Sequence, residues 1–446
     1  MNETFHIITF GCQMNKLDSE LLQTALQKHG MTRVSSPAEA DVVIYNTCSV
    51  RKHAEDRVFS HLGRWRGRAE QDPDFILGVV GCMAQRLGSE ITERFPFVRF
   101  VLGTRSFLKL PHCLDEIRKG RETLIDLEEN PLTFDRNVGL RPESHHAYVS
   151  IMRGCDNYCA YCIVPYVRGR ETSRSPGEIV EEIERLRDEG VVEVTLLGQN
   201  VNSYGKNLAA DVNLARLLGD VNELDGLERI RFITSNPRDM EENVLRAVGE
   251  LEKVCEHIHM PAQSGSDSVL ERMNRGYTPS RYLELVEKAR KYAPNVEIAS
   301  DFILGFPGET EDDFAATLHL VEQVGFQQNY IFRYSPRPGT RAARWDDDVP
   351  DQVKRDRQQR LLKAQEEIDR ERRKALIGST MEVLCDGQNE SHPEEGQFKG
   401  RTRQNDIVVF EASKTQPGDV VEVRINDATS LTLFGTVRAG DGTEIL

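Results

Sequence analysis

The stretch Arg153-Gly154-Cys155-Asp156-Asn157-Tyr158-Cys159-Ala160-Tyr161-Cys162 packs three thiols into one short loop. With three and then two intervening residues, Cys155, Cys159 and Cys162 suit three corners of a cubane iron–sulfur cluster. Such clusters are normally held by four thiolates. With three, one iron stays open to a bidentate ligand. A structural zinc site wants four closed ligands, and no fourth Cys or His follows at finger or ribbon spacing. Cys12, Cys48 and Cys82 are far apart in sequence. Taken singly, each would be a buried core cysteine, as free Cys often is. Each stands just beyond an apolar run, however, so the three are expected to converge on a second centre, either another cluster with an open iron or zinc. Cys113, Cys255 and Cys385 stand alone and are expected to be ordinary buried residues. A total of nine is odd, which argues against a disulfide framework.

The elements that must position these thiols follow from hydrophobic periodicity. Apolar runs at 5–10, 41–45 and 75–80 alternate with helical stretches at 19–29 and 54–68. That alternation implies an open parallel α/β sheet with helices on its faces, whose strand ends form the binding crevice. Residues 121–146 are polar and acidic and read as an inter-domain linker. A second α/β run has candidate strands at 147–152, 192–197, 230–234, 257–260, 297–303 and 330–334. Six strand–helix units predict a closed or partial parallel (β/α)6 barrel. Residues 351–376 read as one charged helix with nine basic and six acidic residues. Beyond 379, short strands at 381–384, 406–410, 419–423 and 431–437 predict a small antiparallel β-barrel of the oligonucleotide-binding kind. The fold class is α/β with a small all-β tail.

The three-cysteine spacing is similar to that of the radical S-adenosylmethionine (SAM) superfamily. That resemblance implies that the amino and carboxylate groups of SAM occupy the open iron. It further implies SAM contacts from Gly198, Gln199 and Asn200 after the second barrel strand and from Ser235 after the third. Gln263 after the fourth would meet the ribose, and Gly305, in the stretch closing the fifth, would support the adenine. Read alone, a glycine after a strand is a turn.

The resemblance extends to the whole chain. Gly11-Cys12-Gln13-Met14-Asn15, Asn46-Thr47-Cys48-Ser49-Val50-Arg51 and Gly81-Cys82-Met83-Ala84-Gln85 resemble the N-terminal signature of the methylthiotransferase family. Cys162-Ile163-Val164-Pro165-Tyr166-Val167-Arg168-Gly169-Arg170-Glu171 and Tyr334-Ser335-Pro336-Arg337-Pro338-Gly339-Thr340 continue it. The tail is similar to TRAM domains, which bind RNA. Gln13-Met14-Asn15 and Ser49-Val50-Arg51 resemble the MiaB branch, which modifies isopentenylated adenosine at tRNA position 37. Asn236, Met260 and Ala262 depart from that branch, where His, Leu and Val are usual.

The resemblance implies four regions: a methylthiotransferase N-terminal domain at 1–120, the linker at 121–146, a radical SAM core at 147–376 and a TRAM domain at 379–446. It implies two 4Fe-4S clusters, one on Cys155, Cys159 and Cys162 and one on Cys12, Cys48 and Cys82. The second would carry the sulfur to be inserted. One SAM would methylate that sulfur and another would yield the 5′-deoxyadenosyl radical. Partners are then the tRNA anticodon loop, SAM and an electron donor, with the protein acting as a monomer. Two other functions remain open on the residues alone: methylthiolation of an aspartate in a ribosomal protein, and an iron–sulfur redox protein without an RNA substrate.

Charge and hydropathy limit the partners further. No stretch approaches the ~20 apolar residues of a membrane span. The N-terminus lacks the basic and long apolar regions of a signal peptide, so a cytoplasmic protein is expected. With 57 basic and 72 acidic residues the net charge is −15, which disfavours non-specific coating of nucleic acid. RNA contacts must therefore be local. Lys399, Arg401 and Arg403 near Phe398 are the candidate in the tail, with Arg64, Trp65, Arg66 and Arg68, and Arg168 with Arg170, as further patches.

Overall fold

The computed structural model describes residues 3–49, 52–128, 145–390, 396–412 and 414–438. Val50 and Arg51 of the second cysteine motif and most of the expected linker lie outside these residues. The chain forms two compact units. One comprises Met1–Pro142, Met152–Tyr158 and Cys162–Thr172, the other Glu143–Ile151, Cys159–Tyr161 and Ser173–Leu446.

The first unit is built on a parallel sheet of six strands in the order Thr32–Arg33, Thr4–Thr9, Val42–Thr47, Ile76–Gly81, Phe100–Leu102, Leu124–Asp126. Every residue of Val42–Thr47 and Ile76–Gly81 is buried, as strands covered on both faces require. Val43, Tyr45, Leu77 and Val79 of these strands join Val58, Leu62 and Met83 in one core. Thr9 pairs with Asn46 and Thr47 with Gly81, so the carboxyl ends of the first three predicted strands are level. The loops bearing Cys12, Cys48 and Cys82 leave the sheet along that one edge.

Two differences from expectation appear in this unit. Leu124–Asp126 lies in what the sequence presents as linker, yet it pairs with Phe100–Leu102 as the last strand of the sheet. Three residues with one buried leucine carry too little apolar signal to stand out in an acidic stretch. The helical stretch at 54–68 is two helices, Lys52–Gly63 and Arg66–Gln71.

The second unit holds all six predicted barrel strands, at His146–Ser150, Glu193–Leu197, Arg229–Ile233, His257–His259, Glu297–Leu304 and Gln328–Arg333. They pair in parallel, in chain order, as two groups of three. The groups meet where Ser235 N–H donates to the His259 carbonyl at 3.0 Å and Cys255 N–H to that of Ile230 at 2.9 Å. The result is the partial barrel. The helix Asp351–Ala375 follows.

The tail closes into a five-stranded barrel, Thr380–Gln388, Gln397–Thr402, Ile407–Glu411, Leu433–Val437 and Val420–Ala428 in order around it. Its core is Val383, Cys385, Val408, Phe410, Val423, Ile425 and Leu433. The barrel is not wholly antiparallel, because Ile407–Glu411 and Leu433–Val437 pair in parallel to close it. Gln397–Thr402 was not among the predicted strands, since Gln-Phe-Lys-Gly-Arg-Thr has almost no apolar run. Among the described residues no helix is long and apolar enough to cross a membrane.

Candidate functional site

In the first unit the cysteine motifs owe their asparagines to one buried network. Asn15, Asn46 and Thr47 are all essentially inaccessible to solvent. Asn15 Nδ2 donates to Asn46 Oδ1 and to the Thr47 carbonyl, both at 3.1 Å, and Asn46 Nδ2 returns to the Asn15 carbonyl at 2.8 Å. Asn15 Oδ1 accepts from the Cys12 N–H at 3.4 Å, and Thr47 Oγ1 donates to the Val80 carbonyl at 2.7 Å. The three loops are thereby tied together by buried, hydrogen-bonded polar groups. A Cβ at Gly11 would lie 2.3 Å from Asn15 Oδ1 and 3.0 Å from Cys48 Cβ, so only glycine lets these loops approach. Cys12 is exposed, whereas Cys48 and Cys82 are buried.

Beside them lies a buried ion cluster that the motifs do not announce. Arg168 Nη2 donates to Asp18 Oδ2 at 2.8 Å, and Arg153 Nη2 stands 3.6 Å from Asp18 Oδ1. Cys82 packs against Ile163 and Val167, the residue preceding Arg168. Burial pushes the Cys82 thiol up against the pull of Arg168, while burial lowers Arg168 but the charges of Cys82, Asp18 and Cys12 more than offset it. Cys12 and Cys82 are thus within electrostatic reach of one guanidinium. Among the described residues no group of three His, Cys, Asp or Glu is gathered as a single metal ion would need. The donor set itself, three thiols on neighbouring loops, suits a soft iron–sulfur centre more than a hard cation.

Backbone hydrogen bonds hold the residues of the three-cysteine loop within each unit. In the first unit Cys155 N–H donates to the Gly169 carbonyl at 3.3 Å. A Cβ on Gly154 would fall 2.1 Å from the Arg170 carbonyl oxygen, at φ +79°, so this residue must be glycine. In the second unit Ala160 N–H donates to Met273 at 2.9 Å, and the Ala160 carbonyl accepts from Ala342 at 2.8 Å. Arg275, which sequence reasoning missed, donates through Nη1 to Cys159 Sγ at 3.3 Å and through Nη2 to the Pro261 carbonyl at 2.9 Å. Its Nη1 also reaches Tyr161 Oη and its Nε Tyr277 Oη. Burial disfavours this charge, yet Tyr161, Tyr277 and Cys159 hold it well above the ordinary arginine range. Its only sequence signal is an isolated arginine between Asn274 and Gly276, both in left-handed conformation.

The candidate SAM contacts sit at the ends of consecutive strands in the second unit. Asn200, Ser235 and Gln263 are 1 %, 4 % and 7 % exposed, and Asn200 Oδ1, Ser235 Oγ and Gln263 Oε1 are buried without a hydrogen-bond partner. Native interiors rarely leave such atoms unmatched. Three at neighbouring strand ends fit a polar ligand carrying donors. Gln263 is held at φ +68° by backbone bonds to Asp301 and Ile303. Gly198 and Gln199 are half-buried, and Gly198 N–H bonds the Ile233 carbonyl. Gly305 N–H is committed to Glu309 Oε1 at 2.9 Å, so its part is to shape the turn.

Arg403 and Arg68, each expected in an RNA patch, are otherwise engaged. Arg403 binds both oxygens of Glu256, at 3.1 and 2.8 Å through Nε, and the carbonyls of Glu252 and Val254. It fastens the small barrel to the neighbouring strands and has little left for phosphate. Arg68 caps the carbonyls of Ala38 and Ala40 and lies 4.2 Å from the Phe75 ring centroid. Arg168 is buried, while Arg170 is exposed. Cys113, Cys255 and Cys385 are buried, and burial raises the Cys113 and Cys385 thiols to about 11, as inert core residues.

Comparisons with known proteins match three stretches of the chain. Residues 4–103 match the uncharacterized protein family UPF0004, 149–321 the radical SAM superfamily and 374–437 the TRAM domain. A tRNA-2-methylthio-N(6)-dimethylallyladenosine synthase of Caldicellulosiruptor saccharolyticus is 45% identical over 98% of this chain and 93% of its own length. A protein of the same name from Moorella thermoacetica is 43% identical over 98% of this chain and 99% of its own. Among solved structures, the radical SAM methyltransferase TsrM of Kitasatospora setae, with cobalamin and a 4Fe-4S cluster bound, aligns with a TM-score of 0.55. It is 13% identical and covers 77% of each chain, a likeness of fold.

Proposed function

Because this chain belongs to the family of tRNA-2-methylthio-N(6)-dimethylallyladenosine synthases, we propose that it inserts a methylthio group at C2 of N6-isopentenyl-adenosine at position 37 of tRNA. The observation that supports the reading most is the trio of buried, unmatched oxygens on Asn200, Ser235 and Gln263 after a three-cysteine loop. C2 of adenine carries a hydrogen that no side-chain base can remove, so general acid–base catalysis is the wrong tool. An iron–sulfur cluster with bound SAM supplies the one-electron chemistry that such a C–H bond demands.

The protein's own residues bind and orient. Cys155, Cys159 and Cys162 hold the SAM-binding cluster, and Arg275 places a positive charge against the Cys159 sulfur. Asn200, Ser235 and Gln263 take the polar groups of SAM, with Gly198, Gln199 and Gly305 shaping the walls. Cys12, Cys48 and Cys82 hold a second cluster for the inserted sulfur. Asp18 and Arg168 keep a fixed cation beside Cys82 and Cys12. The TRAM domain contributes to RNA binding, an external donor supplies electrons, and the protein works as a cytoplasmic monomer.

Anaerobically reconstituted protein should carry about eight irons per chain if both trios bind cubane clusters. Given SAM and reductant, it should convert isopentenylated tRNA to the 2-methylthio form, read by nucleoside mass spectrometry. Unmodified tRNA and an aspartate-bearing ribosomal-protein substrate should remain unchanged. Methylthiolation of the protein substrate alone, or iron redox cycling with no product on any substrate, would reject the proposal.

A further inference from the structure

Four arginines of the first unit, Arg57, Arg64, Arg66 and Arg94, are exposed, and among the described residues none of them forms an ion pair. Acidic residues outnumber basic ones 72 to 57 in this chain, so neighbouring guanidiniums without a carboxylate run against its composition. Arginines close by are committed: Arg86 binds both oxygens of Glu55 at 2.9 Å, and Arg68 caps backbone carbonyls. Arg94, ending the helix Ser89–Arg94, lies instead 4.2 Å from the Phe59 ring centroid. Arg66, opening the helix Arg66–Gln71, lies 5.9 Å from that of Phe97. Phe95 links the two, stacked on Phe59 and edge-on to Phe97, both at 5.9 Å. Arg66 and Arg94 also line one cavity of about 530 Å³, whose one carboxylate, Asp56, pairs with neither. On the helix Lys52–Gly63, Arg57 lies 5.6 Å from the Phe10 ring, which meets the His61 ring edge-on at 5.5 Å. Arg64 follows two turns later, about 10 Å further along the same face. Burial, then the charges of Arg64 and Arg57, lower the pKa of His61, as a region of positive potential requires. Trp65 fixes the turn between Arg64 and Arg66: its Nε1 donates to Tyr45 Oη at 2.9 Å, and its ring stacks on Phe75.

We infer that Arg57, Arg64, Arg66 and Arg94 form a surface that receives backbone phosphates of tRNA. The inference rests on the tRNA reading above and uses residues of the first unit alone. An enzyme whose net charge is −15 needs a local cluster of unneutralised cations to hold a polyanionic substrate. Stacking on a ring uses the face of a guanidinium and leaves its N–H edge for a bidentate bond to phosphate. The rings also hold the planes in place, so less side-chain freedom is lost on binding. Phosphate contacts set register and carry no sequence information, so this surface grips any tRNA and leaves the choice of base to the SAM-binding unit. An acidic protein would also meet positive charge here, and the test separates it from RNA.

The test uses the full-length, reconstituted protein and isopentenylated tRNA, with binding measured by fluorescence anisotropy over a range of salt concentrations. R57Q/R64Q/R66Q/R94Q should bind about ten- to a hundredfold more weakly. Its slope of log affinity against log salt should fall by about 3, at about 0.7–0.9 for each phosphate lost. R57Q/R64Q and R66Q/R94Q should each lower the slope by about half as much, which keeps it readable where the fourfold variant does not fold. The loss should be equal on tRNA without the isopentenyl group, and KM for tRNA should rise more than kcat falls. R57K/R64K/R66K/R94K keeps the charges and should keep the slope to within about 1. D56N removes the carboxylate of the cavity and should bind about two- to threefold more tightly. Iron content and melting temperature equal to wild type identify folded variants. Folded glutamine variants with wild-type affinity and slope overturn the surface. So do variants that weaken with the slope unchanged, or that bind tRNA normally and lose only an acidic protein partner. Wild-type protein that binds tRNA with a steep salt slope but never methylthiolates it rejects the function reading instead, which keeps the two failures apart.

Discussion

Replacing Asp18 by Asn tests whether the buried ion cluster beside Cys12 and Cys82 is a structural necessity. The substitution keeps the side-chain volume and opens no cavity, so its effect is electrostatic. Asp18, Arg168 and Arg153 side chains are 3%, 5% and 9% exposed, and the carboxylate is the counter-ion of both guanidiniums, at 2.8 and 3.6 Å. At an effective dielectric constant of about 20 each contact is worth roughly 4–6 kcal/mol before desolvation is subtracted. Removing one partner of a buried pair leaves the other charge uncompensated and costs about 3–5 kcal/mol. For a unit of this size that is a fall in melting temperature of about 10 °C. Differential scanning calorimetry of the apo chain under reducing conditions should show the lower-melting transition moving by that amount. D18L/R168M removes the carboxylate and the nearer guanidinium and should recover part of the loss, a coupling that a merely local packing defect would not produce. A D18N protein melting within about 2 °C of wild type would refute the reasoning, because a solvated triad leaves no uncompensated charge.

Two further outcomes follow from the site and its surroundings. C155A/C159A/C162A should abolish cleavage of SAM to 5′-deoxyadenosine, whereas C12A/C48A/C82A should retain it with about four irons and form no methylthio product. A folded C12A/C48A/C82A protein that still methylthiolates tRNA would remove the N-terminal trio from the reaction. His257 gives a pH prediction: burial, then the charges of Arg231, His259 and Arg401, lower it to about 3, while a side-chain hydrogen bond to Gln327 raises it. It folds neutral while the unfolded chain protonates near 6.5, so stability is full above that pH and falls as pH drops. Between pH 6.5 and 5 this residue alone should cost roughly 2 kcal/mol by urea titration, and H257Q should flatten that dependence. Identical slopes in the two proteins would exclude it.

What the sequence reveals and what it hides divide along physical lines. The strands Val42–Thr47 and Ile76–Gly81 are legible because a doubly covered strand carries a near-continuous apolar run. The edge strand Leu124–Asp126 needs no such run, and its register with Phe100–Leu102 is set by neighbours far away in sequence. The parallel closure of the small barrel is equally a property of the whole sheet, invisible in the period-2 pattern of Ile407–Glu411. The same distinction governs the charges. Arg168, Arg403 and Arg68 read as candidate RNA patches, because a basic residue in a sequence carries no mark of its partner. The structure commits them to Asp18, Glu256 and backbone carbonyls, whereas Arg64, Arg66 and Arg170 are exposed. Cysteine spacing and apolar runs are local signals and survive translation into one dimension. A buried ion pair such as Arg168–Asp18, separated by 150 residues, does not. The residues that tune and present the site are therefore the ones that had to be seen folded. Arg275 against Cys159 is the clearest instance, since neither its charge nor its position in the loop after Met273 distinguishes it from a solvated arginine until its donors are traced to the sulfur and the Pro261 carbonyl.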